Sequence, residues 1–167
     1  MKLNSKQKGN RGERELVKVL ETRFGKGKFK RTPQSGAHVG GLNQEMNENL
    51  PWEAKITLVS DIITPSNFIF VLEHKYYEGA NFWDLFNEKS ELKDWLRQVE
   101  LDASFVNKQP MLVCKYNRKQ RIVYVKKYSK ICWDFAKFSF FLDGKTWYCY
   151  WLEDLLKLDN VFWMEEK

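Results

Sequence analysis

Residues 58–77, LVSDIITPSNFIFVLEHKYY, are the most strand-like part of the chain. Two apolar runs flank Thr64-Pro65-Ser66-Asn67, a turn-rich group, so the stretch predicts a hairpin of Val59–Ile63 and Phe68–Tyr76. That commits the chain to a β-sheet. The runs also carry Asp61, Glu73 and Lys75, where a purely structural strand would carry apolar or neutral residues. Side chains alternate along a strand. Glu73 and Lys75 therefore share one face with Val71, and His74 points the other way with Phe70 and Leu72. Asp61 falls on the partner strand, where cross-strand neighbours come within roughly 5 Å. Two carboxylates that close repel unless a cation lies between them. Hard oxygen ligands with room for water suit Mg2+ or Mn2+.

A third acid comes from a helix expected over Gly12–Phe24, stopped by Gly25-Lys26-Gly27. At about 100° per residue from Glu13, Val17, Leu20 and Phe24 fall at about 40°, 340° and 20°. Glu13 thus sits inside the apolar stripe, and Glu15, at about 200°, faces solvent. A buried carboxylate needs a partner. A salt bridge near Arg14 or to Lys75 would supply one, and so would a metal site. A first-turn acid favoured by the helix dipole is the plainer reading, but it leaves the position on the stripe unexplained.

Glu-x-Lys after an Asp is a weak pattern alone, and the chain holds a second copy, Glu53-Ala54-Lys55. That copy falls in residues 34–57, expected as a long Gly/Asn/Gln-rich loop, with no Asp-bearing strand before it. The Glu73 copy is the better candidate.

Charge is unevenly placed. Residues 1–31 hold eleven Lys/Arg and three Glu, a net +8, whereas the whole chain is +6. Such a basic end favours a polyanion, with a solvated tail as the bland alternative. No run of about 18 uncharged apolar residues marks a membrane span, and the N-terminus has no apolar signal core. Cys114, Cys132 and Cys149 are odd in number and lack CxxC spacing. They read as buried thiols of a cytoplasmic, reducing compartment rather than a disulfide or zinc framework.

Further along, Leu92, Trp95, Leu96, Val99, Ala103 and Val106 mark a second amphipathic helix. Residues 111–116 and 121–126 predict a hairpin, as do residues 138–150 around Asp143-Gly144. Residues 152–158 predict a short helix. Aromatic residues crowd the chain beyond residue 130, including Trp133, Phe141, Trp147, Trp151 and Trp163. They would fill a core or a dimer interface, or stack on bases.

Four short segments then occur in a telling order. Lys8-Gly9 followed by Glu13-Arg14 resembles the KG-x-x-x-ER opening of archaeal-type Holliday junction resolvases. Arg31-Thr32-Pro33-Gln34-Ser35-Gly36 resembles their R-x-x-x-SG segment. Asp61-Ile62-Ile63 resembles their (P)DII strand, and Glu73-His74-Lys75 their E-x-K. The wider grouping is the PD-(D/E)xK nuclease superfamily.

The resemblance covers roughly residues 8–76, and Gln98 matches the glutamine that follows in that family. It implies an α/β fold with a mixed β-sheet flanked by helices, restriction-endonuclease-like, and a Mg2+-dependent endonuclease of DNA recombination and repair. Mn2+ would substitute. Glu13, Asp61 and Glu73 would hold metal, and Lys75 would orient or activate the attacking water. Ser35 would contact the scissile region, while Lys6, Lys8, Arg11, Arg14 and Arg31 would bind DNA phosphates. A homodimer is implied, because a four-way junction needs two symmetric cuts.

On this reading residues 1–128 form the nuclease domain, with an inserted loop at 37–57. Residues 129–167 form an aromatic C-terminal extension packed on the same domain. The chain departs from the pattern in that long insertion, in Ser60 where the family has proline, and in the aromatic tail. A nuclease of the same type acting on flaps, nicks, mismatches or duplex is the alternative. A non-catalytic DNA-binding module fits less well, because all three acids and the lysine are present.

Overall fold

The computed structural model describes residues 5–33, 50–77, 82–87, 90–126 and 133–165. The first helix, α1 (Ser5–Phe24), buries Leu16, Leu20 and Phe24 and starts seven residues before Gly12. Lys, Gln and Arg before Gly12 are good helix formers, and only Gly9 opposes them. The helix ends at Gly25, whose φ of 112° suits glycine alone and whose N–H meets the Glu21 carbonyl at 2.9 Å.

The expected hairpin over 59–76 does not form. Trp52–Val59 is instead helix α2, in the region expected as loop and first strand. Trp52, Ile56 and Val59 recur at helical spacing directly after Pro51, a start signal that the neighbouring Asn and Gln residues obscured. Only Ile62–Ile63 (β2) remains extended, and it pairs antiparallel with Lys30–Arg31 (β1).

The long strand β3 (Phe70–Tyr77) pairs parallel with β4 (Gln109–Tyr116), with helix α3 (Glu91–Phe105) between them. Phe70, Val71 and Leu72 are buried consecutively, as suits a strand covered on both faces. Ser90 caps α3 by accepting from the Lys93 N–H, and Leu92, Leu96, Val99 and Ala103 form its buried stripe.

The other two hairpins form as expected. β4 turns into β5 (Arg121–Lys126), and β6 (Phe138–Leu142) turns into β7 (Lys145–Trp151). Asp143 and Gly144 both have positive φ, 49° and 77°, the signature of a type I′ turn. The sheet order is β3-β4-β5-β7-β6, mixed and flanked by helices on both faces. α1 covers the Phe70/Leu72 face, and α2 and α3 cover the Val71 face.

The aromatic C-terminal residues serve this core. Trp147, Tyr150 and Trp163 are fully buried, and Trp163 packs against Phe24, Phe68, Phe70 and Phe162. Short helices α4 (Leu152–Leu155) and α5 (Asn160–Trp163) carry the chain back to β3. There Ile69 N–H meets the Trp163 carbonyl at 2.9 Å and Glu165 N–H meets the Asn67 carbonyl at 2.8 Å. Cys114 and Cys149 are buried free thiols; Cys132 lies outside the described residues. Among the described residues no helix is long and apolar enough to cross a membrane.

Candidate active site

β3 lies at one end of the sheet order, and the candidate residues gather along it. Glu73 and Lys75 lie on the Val71 face, and Lys75 Nζ stands 2.6 Å from Glu73 Oε1. Asp61 reaches β3 without a hairpin. Its N–H donates to the Leu72 carbonyl at 3.1 Å, and its Oδ2 accepts from the His74 N–H at 2.8 Å. The Ser60 hydroxyl accepts from the Leu72 N–H at 3.2 Å and lies 2.9 Å from the Leu72 carbonyl oxygen. The serine standing where the resembled family has proline thus ties Asp61's neighbour to β3. On the far side, Thr32 N–H donates to the Asp61 carbonyl at 2.9 Å, bringing β1 to the same place.

Glu13 is 5% exposed, as its position on the apolar stripe requires. Arg31 Nε donates to Glu13 Oε2, and Arg31 Nη2 donates to Asn10 Oδ1 at 2.6 Å. The partner foreseen near Arg14 or at Lys75 is therefore Arg31. Removing one member of a buried pair costs about 3–5 kcal/mol, so Glu13→Ala perturbs folding as well as chemistry.

Electrostatics bring the four groups into one system. Burial, then the Glu73 charge, push the Asp61 carboxyl well above the usual range; Glu13 adds to this, while the His74 N–H and Lys75 oppose it. For Lys75, burial alone would lower the pKa, but the Glu73 charge and hydrogen bond, with Asp61, more than offset it and raise the pKa. Lys75 is held as an ammonium.

Asp61 and Glu73 are hard oxygen donors whose repulsion a divalent cation would relieve. That chemistry fits such an ion. Glu13 is occupied by Arg31, and among the described residues no set of three or more His, Cys, Asp or Glu side chains is arranged to hold a metal.

His74 lies behind the site, on the α1 face of β3. Neither of its buried ring nitrogens has a hydrogen-bond partner among the described residues. Burial, then Arg121 and Lys75, lower its pKa to about 3, so it is neutral. The unfolded chain binds a proton near pH 6.5 that the folded chain refuses. Stability from neutral His74 is complete above that value and falls as pH drops toward 3, by up to about 1.4 kcal/mol per pH unit. Urea unfolding between about pH 6 and pH 4 is expected to weaken more steeply for wild type than for His74→Leu. Equal slopes would mean that the imidazole reaches water.

The remaining candidates are dispersed. Arg11 pairs with Glu15 at 2.9 Å, and Arg14 is exposed. Lys8, half-buried, and Lys6 lie on α1, but the Lys6 side chain is outside the described residues, as is Ser35. Gln98 donates its amide to Asp102 within α3, at 2.9 and 3.0 Å. Glu15 also reaches Arg121 on β5 at 3.5 Å, so it is only partly the solvent-facing acid expected. Glu53 is an exposed residue of α2.

Sequence reasoning missed Gly12. A Cβ built there would stand 2.3 Å from His74 Cε1 and 3.1 Å from Tyr76 Cδ1. Glycine is what lets α1 approach β3 and present Glu13 beside Asp61. The signal was a Gly within a helical pattern, next to an inward-facing acid.

A family model described as "Phage putative PDDEXK endonuclease" matches residues 4–146. No curated protein and no solved structure matches the chain.

Proposed function

The chain belongs to this phage PDDEXK endonuclease family, and we propose that it cuts branched DNA, foremost the four-way junction. The observation that carries the hydrolytic site is the Asp61 carboxyl, buried against the Glu73 charge and within reach of Glu13. On our reading Asp61 and Glu73 would hold Mg2+, or Mn2+ in its place, with Glu13, kept nearby by Arg31, as the third acid. A bound divalent cation lowers the pKa of its water and offsets charge on the phosphate.

The chain's own residues supply the rest. Glu73 and Asp61 keep Lys75 protonated, so Lys75 acts first as a charge and a hydrogen-bond donor. It orients the attacking water and neutralises a phosphate oxygen. The His74 N–H fixes the Asp61 carboxylate, and Arg31 steers Glu13. Lys6, Lys8, Arg11 and Arg14 on α1, with Ser35 and Gln98, are assigned to the DNA backbone. Binding is then expected to weaken steeply with salt, through counterion release.

The four-way junction is favoured by the ordered segments from Lys8 to Lys75, and a homodimer follows from the need for paired cuts. A second reading, a flap or an ordinary duplex as substrate, is favoured by the match to phage endonucleases rather than to junction resolvases.

One assay separates the two readings. A synthetic four-way junction, a flap and a linear duplex of equal length are incubated with Mg2+ or with EDTA. Paired symmetric nicks in the junction, lost in EDTA, are the expected result. Metal-dependent cutting of the flap or duplex alone would keep the site and change the substrate. Tight binding with no cutting of any of them would overturn the assignment of a working site.

A further inference from the structure

Tyr77 is the last residue of β3, two beyond Lys75 and four beyond Glu73, so the three share one strand face. Strand rise places it about 7 Å from Lys75 along that face, close to one nucleotide step of an extended strand. Its ring lies against Trp95 of α3, with centroids 4.5 Å apart and planes at 41°. Trp95 is itself half-buried against the α3 side of the core, so the pair is fixed rather than free to collapse. Tyr77 nevertheless remains 36% exposed. Burial, then Glu91, push its phenol up while Lys75 pulls it down.

Several other aromatic residues are not available for the same role. Trp147, Tyr150 and Trp163 are consumed by the core. Phe141 is exposed but lies on β6, four strands across the sheet from β3, roughly 19 Å away at the usual strand spacing.

Resting on the nuclease reading, we propose that Tyr77, braced by Trp95, is a stacking subsite for an unpaired nucleobase next to the scissile phosphate. A stacked base inside a continuous duplex cannot present its face to a side chain. A base at a junction crossover, flap or gap can, and stacking on an aromatic ring is indifferent to base identity. The subsite would thus select DNA structure rather than sequence. The stacking requires only the ring, so it does not depend on the Tyr77 hydroxyl.

The test is binding in EDTA, so that it does not depend on cleavage. Junction, flap and duplex DNAs carry 2-aminopurine at successive positions around the cut. Wild type and Tyr77→Phe are expected to quench one position in the branched DNAs, and Tyr77→Leu, which keeps an apolar contact with Trp95, is expected not to. An abasic site at that position should cost wild type about tenfold in affinity and Tyr77→Leu almost nothing. Equal quenching by Tyr77→Leu, or an equal response from the duplex, would overturn the subsite while leaving the nuclease intact. No binding to any DNA would overturn the nuclease reading and this one with it.

Discussion

Asp61→Asn is expected to abolish DNA cleavage and at the same time to make the metal-free protein more stable. Both effects have one origin. The Asp61 carboxyl is buried, faces the Glu73 charge and feels Glu13, so ionising it in the folded chain is unfavourable. A raised carboxyl pKa means that the folded chain takes up a proton more readily than the unfolded chain. The stabilising protonated form is therefore fully present below the unfolded value of about 4, and is lost as pH rises through the folded one. The penalty therefore grows as pH rises above the unfolded value and is complete only above the folded one. Asparagine removes the charge, keeps the size and retains an oxygen to accept the His74 N–H. Each kcal/mol recovered should raise the melting temperature in EDTA by roughly 2–4 °C. The gap between variant and wild type should close as pH is lowered and Asp61 protonates.

The same substitution removes one of the two acids that fit a divalent cation. Nicking of the preferred substrate should fall on the order of 10³-fold or more. Excess Mg2+ should raise the melting temperature of wild type by mass action and leave Asp61→Asn nearly unmoved. A variant that melts lower than wild type in EDTA would show that the buried carboxylate is already compensated. A variant that still cuts would remove Asp61 from the site.

The mixed sheet flanked by helices and the faces on which the candidate residues lie were legible in the sequence, while the strand pairing that frames them was not. Strand alternation separated Glu73 and Lys75 from His74, and helical spacing put Glu13 on the buried stripe; both hold. These are local periodicities, and burial enforces them. The hairpin failed because pairing is not local. Asp61 does lie beside Leu72–His74, but through single hydrogen bonds from Ser60 and Asp61. The long partner of β3 is instead β4, more than 30 residues later in the chain. Consecutive burial of Phe70, Val71 and Leu72 is the trace of that parallel pairing, since a hairpin strand with one wet face would alternate. The Arg31 partner of Glu13 was out of reach for the same reason: the pair spans 18 positions and exists only because β1 and β2 dock together beside α1. Likewise, the dense aromatics near the C-terminus announced burial, but not that β7 would lie inside the sheet between β5 and β6.

Gly12→Ala is expected to lower cleavage about a hundredfold, and His74→Ala in the same chain is expected to restore much of it. In an exposed helix interior, replacing glycine by alanine normally stabilises by roughly 0.5–1 kcal/mol. Here the added methyl would meet His74 Cε1 at 2.3 Å and Nε2 at 3.0 Å. Carbon atoms in contact sit near 3.5–4.0 Å, so α1 and β3 would have to part by more than about 1 Å. The imidazole offers little escape, because His74 is only 4% exposed and Tyr76 stands on the other side of the gap.

Glu13 is the next residue of the helix and moves with it, away from Asp61. A 1 Å misplacement of a catalytic group is enough to cost about a hundredfold in rate. His74→Ala removes the severe clash, leaving only the 3.1 Å approach to Tyr76 Cδ1, and does not touch the bond that matters to Asp61, since that bond comes from the His74 backbone N–H. The single His74→Ala chain is expected to lose stability to its cavity, by about 2–4 kcal/mol, yet to cut. The two substitutions should therefore be strongly non-additive, with the double variant cutting faster than Gly12→Ala alone. Rates are compared at a temperature where circular dichroism shows all three variants folded. A Gly12→Ala protein as active as wild type would mean that the approach of α1 to β3 does not position Glu13. A double variant as slow as the single would mean that the loss comes from something other than the clash with His74.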